Sequence, residues 1–223
     1  MAQVEFTQQF NTSLTSGVTK YFTSPMQSVA GVYVVKGLSF YTTGGFTALS
    51  LLNAADNIGT SAQTFFSTPA TVAANTVAIS FNPDQQIILT QPYLGFNCTG
   101  AGLMTVSISY SFIPSSNTLA ANFGNRFFAV SGPGNLGSFA GLSATIPTII
   151  KSITIVNGSS ALDLSVFLTS SAGAFAFYSD SLIANDTSII TLPLYLVSTD
   201  TVSIETPSTA NFTIIYSYTQ QLN

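Results

Sequence analysis

The chain has 223 residues, 46% hydrophobic and only 5% charged, against roughly 25% charged residues in an ordinary soluble domain. Its four cations, Lys20, Lys36, Arg126 and Lys151, stand singly and offer no basic face for nucleic acid. With no histidine, a net charge of −4 and one cysteine, Cys98, the sequence also excludes a Ser–His–Asp or Cys–His centre, an intrachain disulfide and an ordinary zinc site.

The N-terminus, MAQVEFTQQFNTS, lacks the basic start and apolar core of a signal peptide. No apolar run approaches the ~20 residues that span a bilayer. The mean hydropathy of +0.45 comes from many short runs instead. Residues 1–28 are polar with isolated Phe6, Phe10, Tyr21 and Phe22, and read as an N-terminal arm.

From Val34 the chain reads VVKGLSFYTTGG, an apolar strand followed by a Gly-Gly turn. In TVSISYSF, Val106, Ile108, Tyr110 and Phe112 alternate with serines, so one face of a strand is apolar. Pro114 follows and marks a boundary. Asn117 to Phe127 has helical spacing through Leu119 and Phe123, suiting one short helix or a loop, and Phe127–Val130 reads as an opening strand. The Gly-rich SGPGNLG lacks the GK[ST] ending of a phosphate cradle and reads as a surface loop. Strands follow in IIKSITIV, in ALDLSVFL (Leu162, Leu164, Val166 and Leu168 on one face), in TVSIE and in NFTIIYSYT (Phe212, Ile214, Tyr216 and Tyr218 on one face).

Two of these stretches match. Shifted by 115 positions, Val34 meets Ile149, Lys36 meets Lys151, Leu38 meets Ile153, Leu49 meets Leu164 and Ser50 meets Ser165, without a gap. Farther on, AANT at Ala73 parallels IANDT at Ile183, and each copy ends in a clean alternating strand. The chain thus reads as one β-domain written twice, with the first copy at 29–114 and the second at 115–223. Turn residues every 8–12 positions and about eight strand candidates per copy fit a jelly roll or an immunoglobulin-like sandwich. No Cys–Trp–Cys arrangement supports the latter, since tryptophan is absent. The expected fold is all-β, two tandem jelly-roll-like sandwiches.

Chemistry is sparse. Asp163, Asp180, Asp186, Asp200 and Glu205 lie in the second copy, but no spacing singles out a catalytic pair. Asp186 and Asp200 sit among turn residues, where aspartate bonds its own backbone. No D-x-[DN]-x-[DN]-G run suggests calcium. Cys98 reads as a small buried hydrophobe. Five N-x-[ST] sequons, at Asn11, Asn97, Asn157, Asn185 and Asn211, are no more than chance gives a chain with 14 Asn and 59 Ser or Thr. Asn157 and Asn185, in turn-like segments, are the better glycosylation candidates. No catalytic residue, metal site or cofactor is expected. The 18 Phe and 9 Tyr exceed what narrow sandwiches enclose, so some aromatic surface should await burial in an assembly.

With its paired VVKGLSFY and IIKSITIV segments, two β-units, low charge and full-length coverage, the chain resembles the vertex proteins of turreted icosahedral archaeal viruses of the Sulfolobus type, specifically the penton-base or turret component. The resemblance implies tandem jelly rolls and a pentamer at the capsid five-fold axis. It implies contact with the major coat protein, other turret or vertex proteins and an internal-membrane protein, with no nucleic acid. It also implies synthesis in the host cytoplasm, a first copy set in the shell and a second projecting to support the turret. Such viruses live in hot acid, which suits a chain with few titrating groups. The reading from a different class is a receptor- or carbohydrate-binding fibre or adhesin module.

Overall fold

A computed structural model of the chain describes residues 4–23, 25–69, 71–79, 86–141, 146–191, 193–207 and 209–220. It falls into two compact units, Met1–Ala120 and Ala121–Asn223. The first unit holds β1 (Val4–Leu14), β2 (Lys20–Tyr21), β3 (Gly31–Thr42), β4 (Thr47–Ala54), β5 (Gln63–Thr68), β6 (Thr76–Ile79), β7 (Ile87–Leu89), β8 (Tyr93–Thr99) and β9 (Gly102–Pro114). The second holds β10 (Phe123–Ser131), β11 (Gly134–Ala140), β12 (Thr148–Asn157), β13 (Leu162–Ser170), β14 (Gly173–Leu182), β15 (Thr187–Ile190), β16 (Leu194–Leu196), β17 (Thr201–Thr206) and β18 (Asn211–Gln220).

In the first unit one sheet runs β1-β9-β3, with β6 and β7 pairing successive stretches of β3, and the other runs β2-β8-β4-β5. The second unit repeats this as β10-β18-β12 with β15 and β16, and β11-β17-β13-β14. Counting each broken strand as one position, the eight strands distribute 1-8-3-6 and 2-7-4-5, all antiparallel. That is the double Greek key of a jelly roll. The fold is all-β, two tandem jelly-roll-like sandwiches.

The apolar periodicity builds the cores. Val106, Ile108 and Tyr110 on β9 are at most 1% exposed. In the second unit Ile153 and Ile155 of β12 and Ile214 and Tyr216 of β18 meet Phe139, Leu164, Val166, Val202 and Ile204 from the facing sheet. In the first unit a chain of ring contacts crosses the sandwich, with Phe10 on β1 tilted at 4.6 Å from Phe22 and Phe22 edge-on at 5.1 Å from Phe96 on β8.

Irregularities repeat as well. Lys36 is an extra residue in β3, between the pairs Val35↔Tyr110 and Gly37↔Ser109. Lys151 is the extra residue in β12, between Ile150↔Tyr218 and Ser152↔Ser217. A bulge shifts the inward phase by one position, so Val35 gives way to Leu38, and Ile150 to Ile153, as the next inward side chain. A second bulge matches too. Phe65 lies between the pairs Leu51↔Phe66 and Leu52↔Thr64, and Phe177 between Val166↔Tyr178 and Phe167↔Ala176. Asn75 and Asn185, the equivalent residues of AANT and IANDT, both sit at positive φ, 57° and 60°.

Residues 4–23 and 25–28 are not an arm. β1 pairs β9 from Val4↔Phe112 to Leu14↔Gly102, and β2 pairs β8. Phe10, Leu14, Phe22 and Met26 are buried. The inward positions of β1 are Phe6, Gln8, Phe10, Thr12 and Leu14. Polar residues at two of them hide the period of two. Gln8 is accommodated because its Oε1 lies 2.9 Å from the Tyr110 hydroxyl, which also reaches the Met26 carbonyl at 2.9 Å and accepts from Gln27 at 3.0 Å. The units divide after Ala120, inside a 3₁₀ turn at Thr118–Asn122, rather than at Pro114. The helical spacing from Asn117 to Phe127 resolves into that turn and the start of β10. In SGPGNLG, Ser131 ends β10, Gly134 opens β11, and Gly132 between them adopts φ +88°.

Candidate functional site

The carboxylates come first. Asp163 on β13 and Asp180 on β14 line a shallow depression with Ser165, Ser179, Ser181 and Pro207. Their oxygens are engaged. Ser181 Oγ donates to Asp163 Oδ1 (2.6 Å), Tyr178 Oη to Asp180 Oδ2 (2.7 Å), and Ser181 N–H to Asp180 Oδ1 (2.8 Å). Burial, reinforced by that bond to Asp180, pushes the Tyr178 hydroxyl pKa up, so it remains a neutral donor. Asp186 accepts from Thr187 N–H, and Asp200 from Val197 N–H. Among the described residues no three His, Cys, Asp or Glu come together to hold a metal ion. Cys98 is buried, and burial raises its pKa, away from a reactive thiolate. No described helix is long and apolar enough to cross a membrane.

The glycosylation candidates separate. Asn157 is 3% exposed, and its Nδ2 donates to the carbonyls of Ser160, Leu182 and Ile183 at 2.7, 3.4 and 2.8 Å. It is a brace between the end of β12 and the turn after β14, and it cannot carry a glycan in this fold. Asn185 is partly exposed in that turn, with its N–H on Gly158 O. Asn97 donates to Thr19 Oγ1, and Asn11 Oδ1 accepts from Thr105.

The surface that stands out is the edge strand β14. Gly173, Ala174, Phe175 and Ala176 are all exposed, Phe175 to 54%. The matching edge of the first unit is β5, where Phe65 and Phe66 are buried. The register allows a match residue by residue. Asn53↔Gln63 in the first unit corresponds to Leu168↔Phe175 in the second, so a glutamine stands where the second unit exposes a phenylalanine. Phe66 corresponds to Tyr178, and the pair Ser50–Ser67 (3.1 Å) to Ser165–Ser179 (2.8 Å). From Gly173 to Tyr178 the edge carries no charge, proline or lysine, the usual guards of an open sheet edge. In the sequence, Phe175 and Phe177 look like core residues. The signal that separates Phe175 from core is Gln63 at the matching place in the first copy, whereas Phe177 matches the buried Phe65 and packs against the core.

No family model matches the chain, and no curated protein matches it. Among solved structures it is distantly similar to the major capsid protein of Sulfolobus turreted icosahedral virus (10% identity, 97% of each chain, TM-score 0.40). A second structure of the same virus aligns at 9% identity over 96% of this chain and 90% of the other, with a TM-score of 0.41. The turret protein A223 of that virus aligns at 10% identity over the whole of both chains, with a TM-score of 0.26.

Proposed function

We propose that the chain is a structural virion protein of an icosahedral capsid, and that it forms the five-fold vertex as a penton base or turret component. The observation that carries this reading is the pairing of two jelly rolls with an open edge at β14 that is uncharged and apolar from Gly173 to Tyr178. A monomer of low charge gains nothing from such an edge, whereas a subunit buries it against a neighbour. The occupant is the next copy of the same chain. A head-to-tail contact, β14 of one copy against a different surface of the next, closes into a ring. With so few charges, like-charge repulsion hardly opposes association, and burial rather than ion pairing holds the ring, so it should survive high salt.

The test is the mass of the purified full-length chain at low and high salt, with Phe175→Gln beside it. A pentamer gives a species of about five times 23.4 kDa at both salts. Phe175→Gln, which transfers Gln63 of the first unit to the matching place in the second, should weaken association at least ~tenfold, a loss of about 1.4 kcal/mol. A monomer that binds glycans on an array would favour the fibre or adhesin reading instead.

A further inference from the structure

Asn157–Gly158 is the one Asn-Gly pair in the sequence. Such a pair is chemically labile, because glycine leaves its amide nitrogen sterically open and free to rotate. Both partners are tied down. The Asn157 amide donates to the Ser160 and Ile183 carbonyls at 2.7 and 2.8 Å, and its backbone N–H to Asp186 O at 2.8 Å. Gly158 N–H donates to Asn211 O at 2.9 Å, and Gly158 O accepts from Asn185 N–H at 2.6 Å. A Cβ at 158 would come within 2.4 Å of Asn211 O, so the close approach of the two backbones demands the glycine and with it the labile pair.

We propose that Asn157–Gly158 is a latent deamidation site, kept unreactive by the closed second unit, and that reaction there locks this unit out of its native fold. The reaction needs the Gly158 amide to give its proton to base. Its nitrogen then attacks Asn157 Cγ, a C–N bond forms, and Nδ2 leaves as ammonia. Water opens the resulting succinimide at either carbonyl, giving aspartate or isoaspartate. In the closed unit the Gly158 proton is held by Asn211 O and the Asn157 amide by the turn after β14, so reaction waits for opening. Afterwards the site holds a carboxylate facing the carbonyl oxygens of Ser160, Leu182 and Ile183, with no donor among them. A buried charge in such surroundings is strongly disfavoured. The first unit has Thr42 at the matching position and no such lock.

The experiment follows Asp and isoAsp at position 157 by peptide mapping of the full chain at mildly alkaline pH, native and in denaturant. Native conversion more than ~tenfold slower than denatured conversion supports the site being held shut; rates within that factor overturn it. Asn157→Asp tests the lock. The second unit of this variant should be unfolded at neutral pH and refold on acidification, because the protonated carboxyl can donate where the carboxylate cannot. Failure to fold at any pH also supports the lock, whereas wild-type stability at neutral pH overturns it.

Discussion

The two jelly rolls share strand order, both bulges and a serine pair, yet they finish their fifth strand differently. β5 is short, follows an eight-residue loop and buries Phe65 and Phe66. β14 is longer, follows a tight Ser171-Ala172 turn and leaves Phe175 open. The loop before β5 is itself ordered. Asp56 caps the N–H groups of Ile58 (3.1 Å) and Thr60 (2.9 Å), and Tyr21 packs its ring against Gly59. Topology is thus common property, and an edge becomes a contact surface through a few side chains and the length of one hairpin.

The equivalence of the two units is most exposed to challenge at the N-terminus. Deleting residues 1–28 removes two strands from the first unit, one from each sheet. That unit should lose its cooperative unfolding transition altogether, while a β-type transition from the second remains in calorimetry. An unchanged first transition would restore the arm.

The next largest effect concerns matched core positions on the last strand of each unit. Ile214→Ala and its counterpart Val106→Ala both empty fully buried sites. The isoleucine change should cost about 2–5 kcal/mol and the valine change less, each read in denaturant unfolding of its own unit. Equal destabilisation of both units by either change would mean that they unfold as one body.

Alkali should act on both units. Burial raises the hydroxyl pKa of Tyr33 and Tyr110 in the first and of Tyr216 and Tyr178 in the second. A group whose folded pKa lies above its unfolded value contributes stability that is lost as pH rises beyond the unfolded value. The melting temperature should therefore fall above about pH 10.

Acid should do far less. Among the described residues there is one ion pair, Lys36–Glu5, and it is largely exposed, so it contributes little. Asp56 is held below the usual carboxylate range, chiefly by the Thr60 hydroxyl and backbone N–H. Its contribution is present at neutral pH and is lost as pH falls through that lowered value. The first unit should therefore lose a little stability between pH 7 and about pH 3, and Asp56→Asn should shrink that loss. An acid response of the first unit unchanged in Asp56→Asn would contradict this.

Much of the fold was legible in the sequence because duplication wrote it twice. The ungapped match through Lys36 and Lys151 works because both lysines occupy bulges, so the phase of the apolar residues slips by the same step in each copy. β1 was not legible, since Gln8 and Thr12 at inward positions interrupt the period and only the Tyr110 hydroxyl makes the first of them acceptable. Nor was the burial of Asn157. Besides the nearby Ser160 carbonyl, those of Leu182 and Ile183 reach it from the turn after β14, and nothing in Asn-Gly-Ser announces them. The open edge lay between these cases. Phe175 and Phe177 have the look of core in the sequence, and only pairing Phe175 with Gln63 across the copies reveals that one of them faces outward.

Whether β14 is the surface through which copies associate can be read from amide hydrogen exchange of the full chain, below and above the concentration at which it associates. The outward-pointing β14 amides between Ala174 and Tyr178, those that do not bond β13, should exchange readily in the dilute chain and become protected on association. The matching amides of β5 should be unchanged, and Phe175→Gln should abolish the gain. An associated species in which β14 still exchanges as in the free chain would contradict the assignment of this edge as the contact.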